Sequence, residues 1–396
     1  MLFFVECPPT RSQKDSTMTT GVKTGIRARI TELAEDPVQG VEHGLTIEDQ
    51  PYPDTDSLTP QDVIIAVKSS AVGWVDLIMT SGQYQHMPPL PYTPGLEYSG
   101  IVDWIGDAVE NISVGDRVAV DPFQAGPRSP GNYQQYGGFA SYAVAPASAI
   151  LPIPDGFSFD QACNLMGSYE TAYHCLIHCG DLQPGETVLI HGASGATGLA
   201  AVHVAKIIGA TVIATGRSDE KLALVKAQGA DHVINCSMPD GEPGIRKFRD
   251  DVKALTNGKG VDVVYDGVGG EISIETLRCV QFGARFLIVG WASTPFVAKG
   301  KGQRGAPNAN VLPTNLILMK GLKVLGCPAV ISVQKDPSIR PKRIKQIMTW
   351  VNEGKLKPYV SHTFPLTKVK EALLAKWNGK IIGGCAIHPP EPTSSD

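Results

Sequence analysis

A doubly wound parallel α/β sheet joined to a second, mostly β module is the fold this sequence predicts, on three observations. The chain has 396 residues, more than one hydrophobic core usually organises, so two domains are expected. From Thr187 onward a short apolar strand and a helical pattern alternate several times, which implies parallel strands joined by right-handed crossovers. Between about Ile26 and Ile150 the pattern is instead one of short β-branched runs broken by Pro and Gly turns.

The first 25 residues mix Pro, Ser, Thr, Lys and Asp without period and read as a loose extension with no part in the site. The β module should carry strands over Asp62 to Lys68, Tyr98 to Trp104, Arg117 to Val120 and Ser141 to Val144. Ser158 is placed to cap a helix, and the run Ser168 to Cys179, free of Gly and Pro, predicts a linking helix. The alternating part predicts strands over 187–191, 211–214, 232–234, 261–265, 285–289 and 322–325. Helices are predicted over 198–208, 219–227, 247–255 and 271–280. Beyond Cys327 a helix (343–352), an extended piece (359–364), a helix (366–377) and a strand (380–387) are expected to return to the β module, whose core is otherwise half built.

Composition narrows the function. Hydrophobic residues make up 42% and charged residues 19%, and the 42 Gly and 30 Pro have no period, which excludes a disordered, collagen-like or coiled-coil chain. With 35 Lys+Arg against 39 Asp+Glu the net charge is -4, which argues against nucleic acid and membrane surfaces as partners and for a small molecule. The longest apolar runs, such as Phe286 to Ala292, fall far short of the ~18 residues a membrane span needs. The 8 cysteines are dispersed without a CxxC pair and read as reduced thiols, so the cytoplasm is the expected location.

The most informative segment is the strand Thr187 to His191 running into Gly192, Ser194, Gly195, Ala196, Thr197 and Gly198 and then into an amphipathic helix. Glycine allows the tight turn and lets backbone N–H groups approach a pyrophosphate, while the helix N-terminus offers partial positive charge to the anion. With Gly209 and Ala210 leading into a second strand, the βαβ unit for a dinucleotide is complete. An NAD enzyme usually places a carboxylate at the end of that second strand. Gly216 stands there instead, and Arg217, Ser218 and Lys221 offer a guanidinium, a hydroxyl and an ammonium to a 2′-phosphate, which predicts NADPH over NADH. Solvated charges at a helix start are the alternative for Arg217 and Lys221.

These residues, with Pro94-Gly95-Leu96-Glu97-Tyr98-Ser99-Gly100, Val114-Gly115-Asp116-Arg117-Val118, Gly138-Phe139-Ala140-Ser141-Tyr142, Tyr265-Asp266-Gly267-Val268-Gly269-Gly270 and Asn315 to Gly321, resemble the zinc-independent medium-chain dehydrogenase/reductases, specifically the zeta-crystallin-like quinone oxidoreductases, over about Ile30 to Ile387. The resemblance implies a GroES-like catalytic domain from 26–165 and 329–396 around a Rossmann NADPH-binding domain, 166–328. The chain departs from the family pattern at Ala196, where a Gly is usual, and at His203, where a Gln is usual. Zinc-dependent relatives carry Gly-His-Glu where this chain has Gly95-Leu96-Glu97, a Cys within what is here Val72 to Asp76, and four cysteines in the loop Asp121 to Tyr136, which has none. Leucine cannot ligate zinc, so no metal site is expected. His174, Cys175, His178 and Cys179 recur at helical spacing and read as packing, the resemblance offering no metal there.

Without a Lewis acid, the acceptor must itself be electrophilic, as quinones and α,β-unsaturated carbonyls are. The resemblance makes Tyr84 a hydrogen-bond or proton donor, Asp76 the residue that orients Tyr84 or water, Trp74 an aromatic wall and Thr171 a neighbour of the nicotinamide. Plain packing remains the alternative for Tyr84 and Trp74. Asp266, Gly267, Val268, Gly269, Val289 and Gly290 sit at predicted strand ends, where an open α/β sheet binds its ligand, with Asn235 near the adenosine half. Lys380 matches a segment that closes over the cofactor, and the basic stretch Lys299 to Arg304 reads as a surface lid or as a contact for a CoA-like substrate. An enoyl-thioester reductase and a non-catalytic NADPH-binding protein stay open as alternatives. Relatives pair through the strand near 322–325, so a homodimer is expected.

Overall fold

The computed structural model describes residues 23–239, 242–293, 309–391 and the backbone of 393–394. The alternating part folds as a 6-stranded sheet with all pairs parallel, in the order His232–Asn235, Thr211–Gly216, Thr187–Ile190, Val261–Asp266, Val280–Ile288, Lys323–Gly326. The order reverses between Thr187–Ile190 and Val261–Asp266, and the crevice at that point is where such a sheet takes its ligand. Its strands are apolar without alternation because both faces are covered. Val188, Ile190, Val212 and Val263 face a core shared with the helix Ala196–Ile208, while Leu189, Ile213, Val264 and Phe286 face a second core with Phe248 and Val252.

The β module is a 7-stranded sheet: six strands follow one path, Val360–Pro365, Gly384–His388, Asp62–Ala71, Tyr98–Ile105, Arg117–Val120 and Ile150–Pro152, and Tyr142–Pro146 pairs with Asp62–Ala71 off that path. The tail returns as expected, for Ala386 pairs with Ala71 and Ile387 with Ser70. The helix Ile339–Asn352 goes elsewhere: its Ile347, Trp350 and Val351 complete the nucleotide-domain core beside Tyr169 and Ala172 of the linking helix. That linking helix runs over Met166–Tyr173 and widens into π-helical bonding over His174–Cys179. Ser158 caps Phe159–Cys163 with a reciprocal bond to Gln161, as its position predicts.

Two predictions need correcting. The helix expected to reach Val280 stops at Thr276, and a strand begins at Val280 because the Val261 pairing starts there; residues 281–284 then bulge out of the ladder, with Gly283 at φ 77°. The expected loose extension does not run to residue 25, because a strand begins at Lys23 and pairs from Thr24 with Leu45–Pro51; the helix Ala329–Lys335 lacked a sequence signal.

Candidate functional site

At the switch point His191 directly follows the strand Thr187–Ile190, its ring nitrogens hydrogen-bonded at 2.8 Å to the Thr215 and Thr276 hydroxyls. Burial holds its pKa below the usual histidine range, so the ring is neutral. Gly192 then turns the chain at φ 63°, and Gly195 N–H donates to Gly192 O at 2.9 Å. A Cβ on Gly198 would lie 2.3 Å from Gly192 O, so only glycine lets the helix start this close to the strand. The N–H groups of Ala196, Thr197 and Gly198 open that helix and have no acceptor within it. Ser194 O accepts from Gly383 N–H at 2.8 Å, tying this turn to the C-terminal segment of the β module.

Around the turn, Asp266 is a buried organiser rather than a ligand group. One carboxylate oxygen accepts from Val268 and Gly269 N–H at 2.9 Å each, the other from the Ser273 hydroxyl. The Asp266 carbonyl accepts from Val289 N–H at 2.8 Å and Gly290 N–H at 3.2 Å, so both strand ends are locked together. A Cβ on Gly267 would meet nothing within 4 Å, and one on Gly192 would meet Val268 Cγ2 at 3.1 Å, so Gly267 borders open space beside the turn.

Gly216 ends the second strand, and Arg217 beside it is exposed and without an ion pair among the described residues. Ser218 caps the helix Asp219–Ala227, its hydroxyl accepting from Lys221 N–H. Lys221, expected to face a phosphate, donates its ammonium to Gly379 O, and burial lowers its pKa. Asn235 is likewise committed, to Asp219 through Nδ2 at 2.9 Å and to Ser237 through Oδ1. Lys380 is exposed.

On the acceptor side, Tyr84 is buried with its ring edge-on to His86, the centroids 5.9 Å apart. Trp74 stacks on Trp377 at 5.7 Å and 5°, so its ring lies flat against the tail helix. Asp76 spends its oxygens on backbone: Oδ2 accepts from Gly73 N–H at 2.9 Å, and Oδ1 from Gly95 and Leu96 N–H at 3.0 Å each. It caps the helix Trp74–Met79 and pins the 94–96 turn, and its hydrogen bonds go to these backbone groups instead of to Tyr84. A Cβ on Gly73 would sit 2.8 Å from Asp76 Oδ2, which accounts for glycine there. Burial pushes the Asp76 carboxyl up to about 6 against those three donors.

Thr171 is half-buried and donates its hydroxyl to Gly167 O at 2.7 Å. Gly167 N–H in turn donates to Glu97, so the position of Thr171 is set through the Gly95-Leu96-Glu97 triplet. Desolvation pushes the Glu97 carboxyl up to about 7, partly offset by the Arg128 charge and the Gly167 bond. Glu170 and Asp121 are both held by Arg340, at 2.9 Å and 2.6 Å, and Arg343 bonds Glu170 and His174. This network joins the β module, the linking helix and the tail. Arg340 and Arg128 went unnoticed in the sequence, and Glu97 was named there only as part of a motif, without a role. Only Glu97 had a signal, its place in the triplet.

His174 and His178 stack at 5.0 Å while His174 Nε2 meets Cys179 Sγ at 3.4 Å, and Arg343 occupies His174 Nδ1. Among the described residues no group of three or more His, Cys, Asp and Glu could hold a metal ion, and no helix is long and apolar enough to cross a membrane. The stretch Lys299 to Arg304 lies outside the described residues.

Comparison with known proteins agrees with this geometry. Residues 59–155 match the alcohol dehydrogenase GroES-like domain and residues 196–335 the family described as zinc-binding dehydrogenase. A quinone oxidoreductase-like protein 2 homolog from Nematostella vectensis is 35% identical over 334 residues, covering 83% of each chain. A quinone oxidoreductase from Pseudomonas syringae pv. Tomato superposes with a TM-score of 0.71 at 26% identity, covering 92% of this chain and 100% of that one. Mycobacterial Rv1454c, solved in complex with NADPH, gives 0.72 at 25% identity over 93% and 100%.

Proposed function

Because this chain belongs to the medium-chain dehydrogenase/reductases, among the quinone oxidoreductases of the zinc-independent type, we propose that it uses NADPH to reduce quinones or reactive α,β-unsaturated carbonyls without a metal. The observation that carries this reading is the turn at Gly192–Gly198, too close for any side chain at 198, followed by a second strand that ends in Gly216-Arg217 where a carboxylate would mark NADH. When bound, NADPH supplies the hydride. The chain's own residues do the rest. The Ala196 to Gly198 N–H groups and the helix dipole hold the pyrophosphate. Arg217 takes the 2′-phosphate with the Ser218 hydroxyl, while Lys221 braces the tail. Gly267 leaves its strand end open for the nicotinamide half, beside Val268, Gly269, Val289 and Gly290. Thr171, held through Gly167 and Glu97, borders it.

Charge that develops on the acceptor oxygen needs a donor, and the Tyr84 hydroxyl supplies a hydrogen bond or proton there, in a cleft walled by Trp74. Asp76 acts on the site by fixing the 73–76 and 94–96 backbone. Leu96 in the triplet and Val72 to Asp76 without a cysteine leave no donor set for zinc at the family's metal position.

A homodimer through the sheet edge fits the exposed apolar residues there: Phe282, Leu318 and Met319 are 80%, 79% and 74% exposed, beside Lys323–Gly326. The cysteines of the described residues are all unpaired, which favours the cytoplasm. The test is NADPH oxidation with an ortho-naphthoquinone and with crotonyl-CoA in parallel, repeated with NADH and with Arg217→Ala. Quinone turnover preferring NADPH is expected, with the preference falling about tenfold in the variant. Turnover of the thioester alone would replace this reading with an enoyl-thioester reductase. NADPH binding without turnover of either would leave a non-catalytic protein.

A further inference from the structure

Beyond Tyr84 the chain continues through Gln85, His86 and Met87, which line a cleft of about 540 Å³ together with Phe123, Arg128 and Gln134. That volume suits a fused-ring ligand. Its lining holds no carboxylate, and Arg128 is its one permanently charged side chain. Among the described residues the Arg128 guanidinium has neither an ion pair nor a hydrogen bond, and its buried Nε lacks an acceptor. It lies 4.8 Å from the Phe123 ring centroid, a cation–π contact that leaves the N–H donors unfilled. The nearby carboxylates do not meet it: the Asp76 oxygens accept from Gly73, Gly95 and Leu96, and Glu97 accepts from Gly167. A planar cation with unfilled donors at the wall of a substrate cleft is matched by an anion with two or three coplanar or tetrahedral oxygens.

We propose that Arg128 selects acceptors carrying an anionic substituent, so that the substrates of this site are aromatic quinones or enones bearing a carboxylate or sulfonate. The proposal rests on the reductase reading above and names its substrate class. The ring of such an acceptor lies toward Tyr84, and its anionic group pairs with the guanidinium across the cleft.

Two measurements test this independently of each other. In the first, kcat/KM is compared between an ortho-naphthoquinone and the same ring system bearing a sulfonate, in the wild type, Arg128→Gln and Arg128→Lys. Comparing enzyme forms cancels the intrinsic electrophilicity of each quinone. The sulfonate should lose about tenfold more than the neutral quinone in Arg128→Gln, and Arg128→Lys should keep most of the difference. An equal loss for both quinones overturns the proposal while leaving the reductase reading intact. In the second, calorimetric binding of naphthalenesulfonate, which accepts no hydride, is followed in the wild type against rising salt and in the variants. Binding should weaken severalfold with salt and about tenfold in Arg128→Gln. If the wild type reduces neither quinone yet binds the sulfonate in this way, the reductase reading fails and the anion site stands. Binding indifferent to both salt and Arg128 overturns the site, and the salt series decides the matter even if Arg128→Gln does not fold.

Discussion

The two sides of the cleft are built from different material. The proposed cofactor side is backbone: a glycine turn, helix N–H groups and two strand ends locked by Asp266. The proposed acceptor side is side chains drawn from distant parts of the chain: Trp74 stacks on Trp377 of the tail, and Arg128 lines a cleft with Gln334 of the tail. A backbone site is specified by local conformation and tolerates variation around it. A side-chain site is specified by packing and can be retuned one residue at a time, which is how one fold hosts many acceptors.

The joint between the two sides should show the largest effect. Arg340→Ala leaves Asp121 and Glu170, whose side chains are each 4% exposed, without their shared cation, and should destabilise by about 3–5 kcal/mol in urea unfolding. Arg340 also holds the Asp121 carboxyl below its ordinary range, so the contribution is present above that range and lost as the pH falls through the lowered value.

Next, Gly198→Val strikes the backbone side alone. A Cβ 2.3 Å from Gly192 O must push the helix away from the turn, and NADPH binding followed by fluorescence should weaken about 100-fold or more, while Arg128-dependent sulfonate binding persists. Loss of both together would mean that the two sides are not separable.

A smaller effect sharpens the comparison at Glu97, which touches both sides through Gly167 and Thr171. Its carboxyl is raised from 4.5 to about 7, so its stabilising contribution is full below the ordinary value and is lost as the pH rises through 7. Glu97→Gln keeps an acceptor for Gly167 N–H and removes the titration. Relative to the wild type, the variant should gain about 3 kcal/mol in unfolding free energy between pH ~4.5 and ~8.

The same contrast explains what could be read from the sequence. Strand and helix alternation located every strand of the parallel sheet, and glycine spacing located the turn, because both follow from local conformation. Where local propensity and pairing disagreed, as at Glu271 to Val280, the ladder with Val261 won. The acceptor side was legible as residue types but not as partners. Nothing near Asp76 announces that three backbone N–H groups consume its oxygens, and nothing near Arg128 announces an unfilled guanidinium in a cleft. Lys221 looked like a phosphate ligand until Gly379, distant in sequence, took its ammonium.

The central claim is that hydride transfer here relies on positioning and hydrogen bonding without a Lewis acid. The most direct test is the rate of NADPH-dependent quinone reduction by protein dialysed against a strong chelator, with the residual metal quantified. A rate unchanged by dialysis and by added zinc is predicted. A rate lost with the metal and restored by stoichiometric zinc would contradict the account.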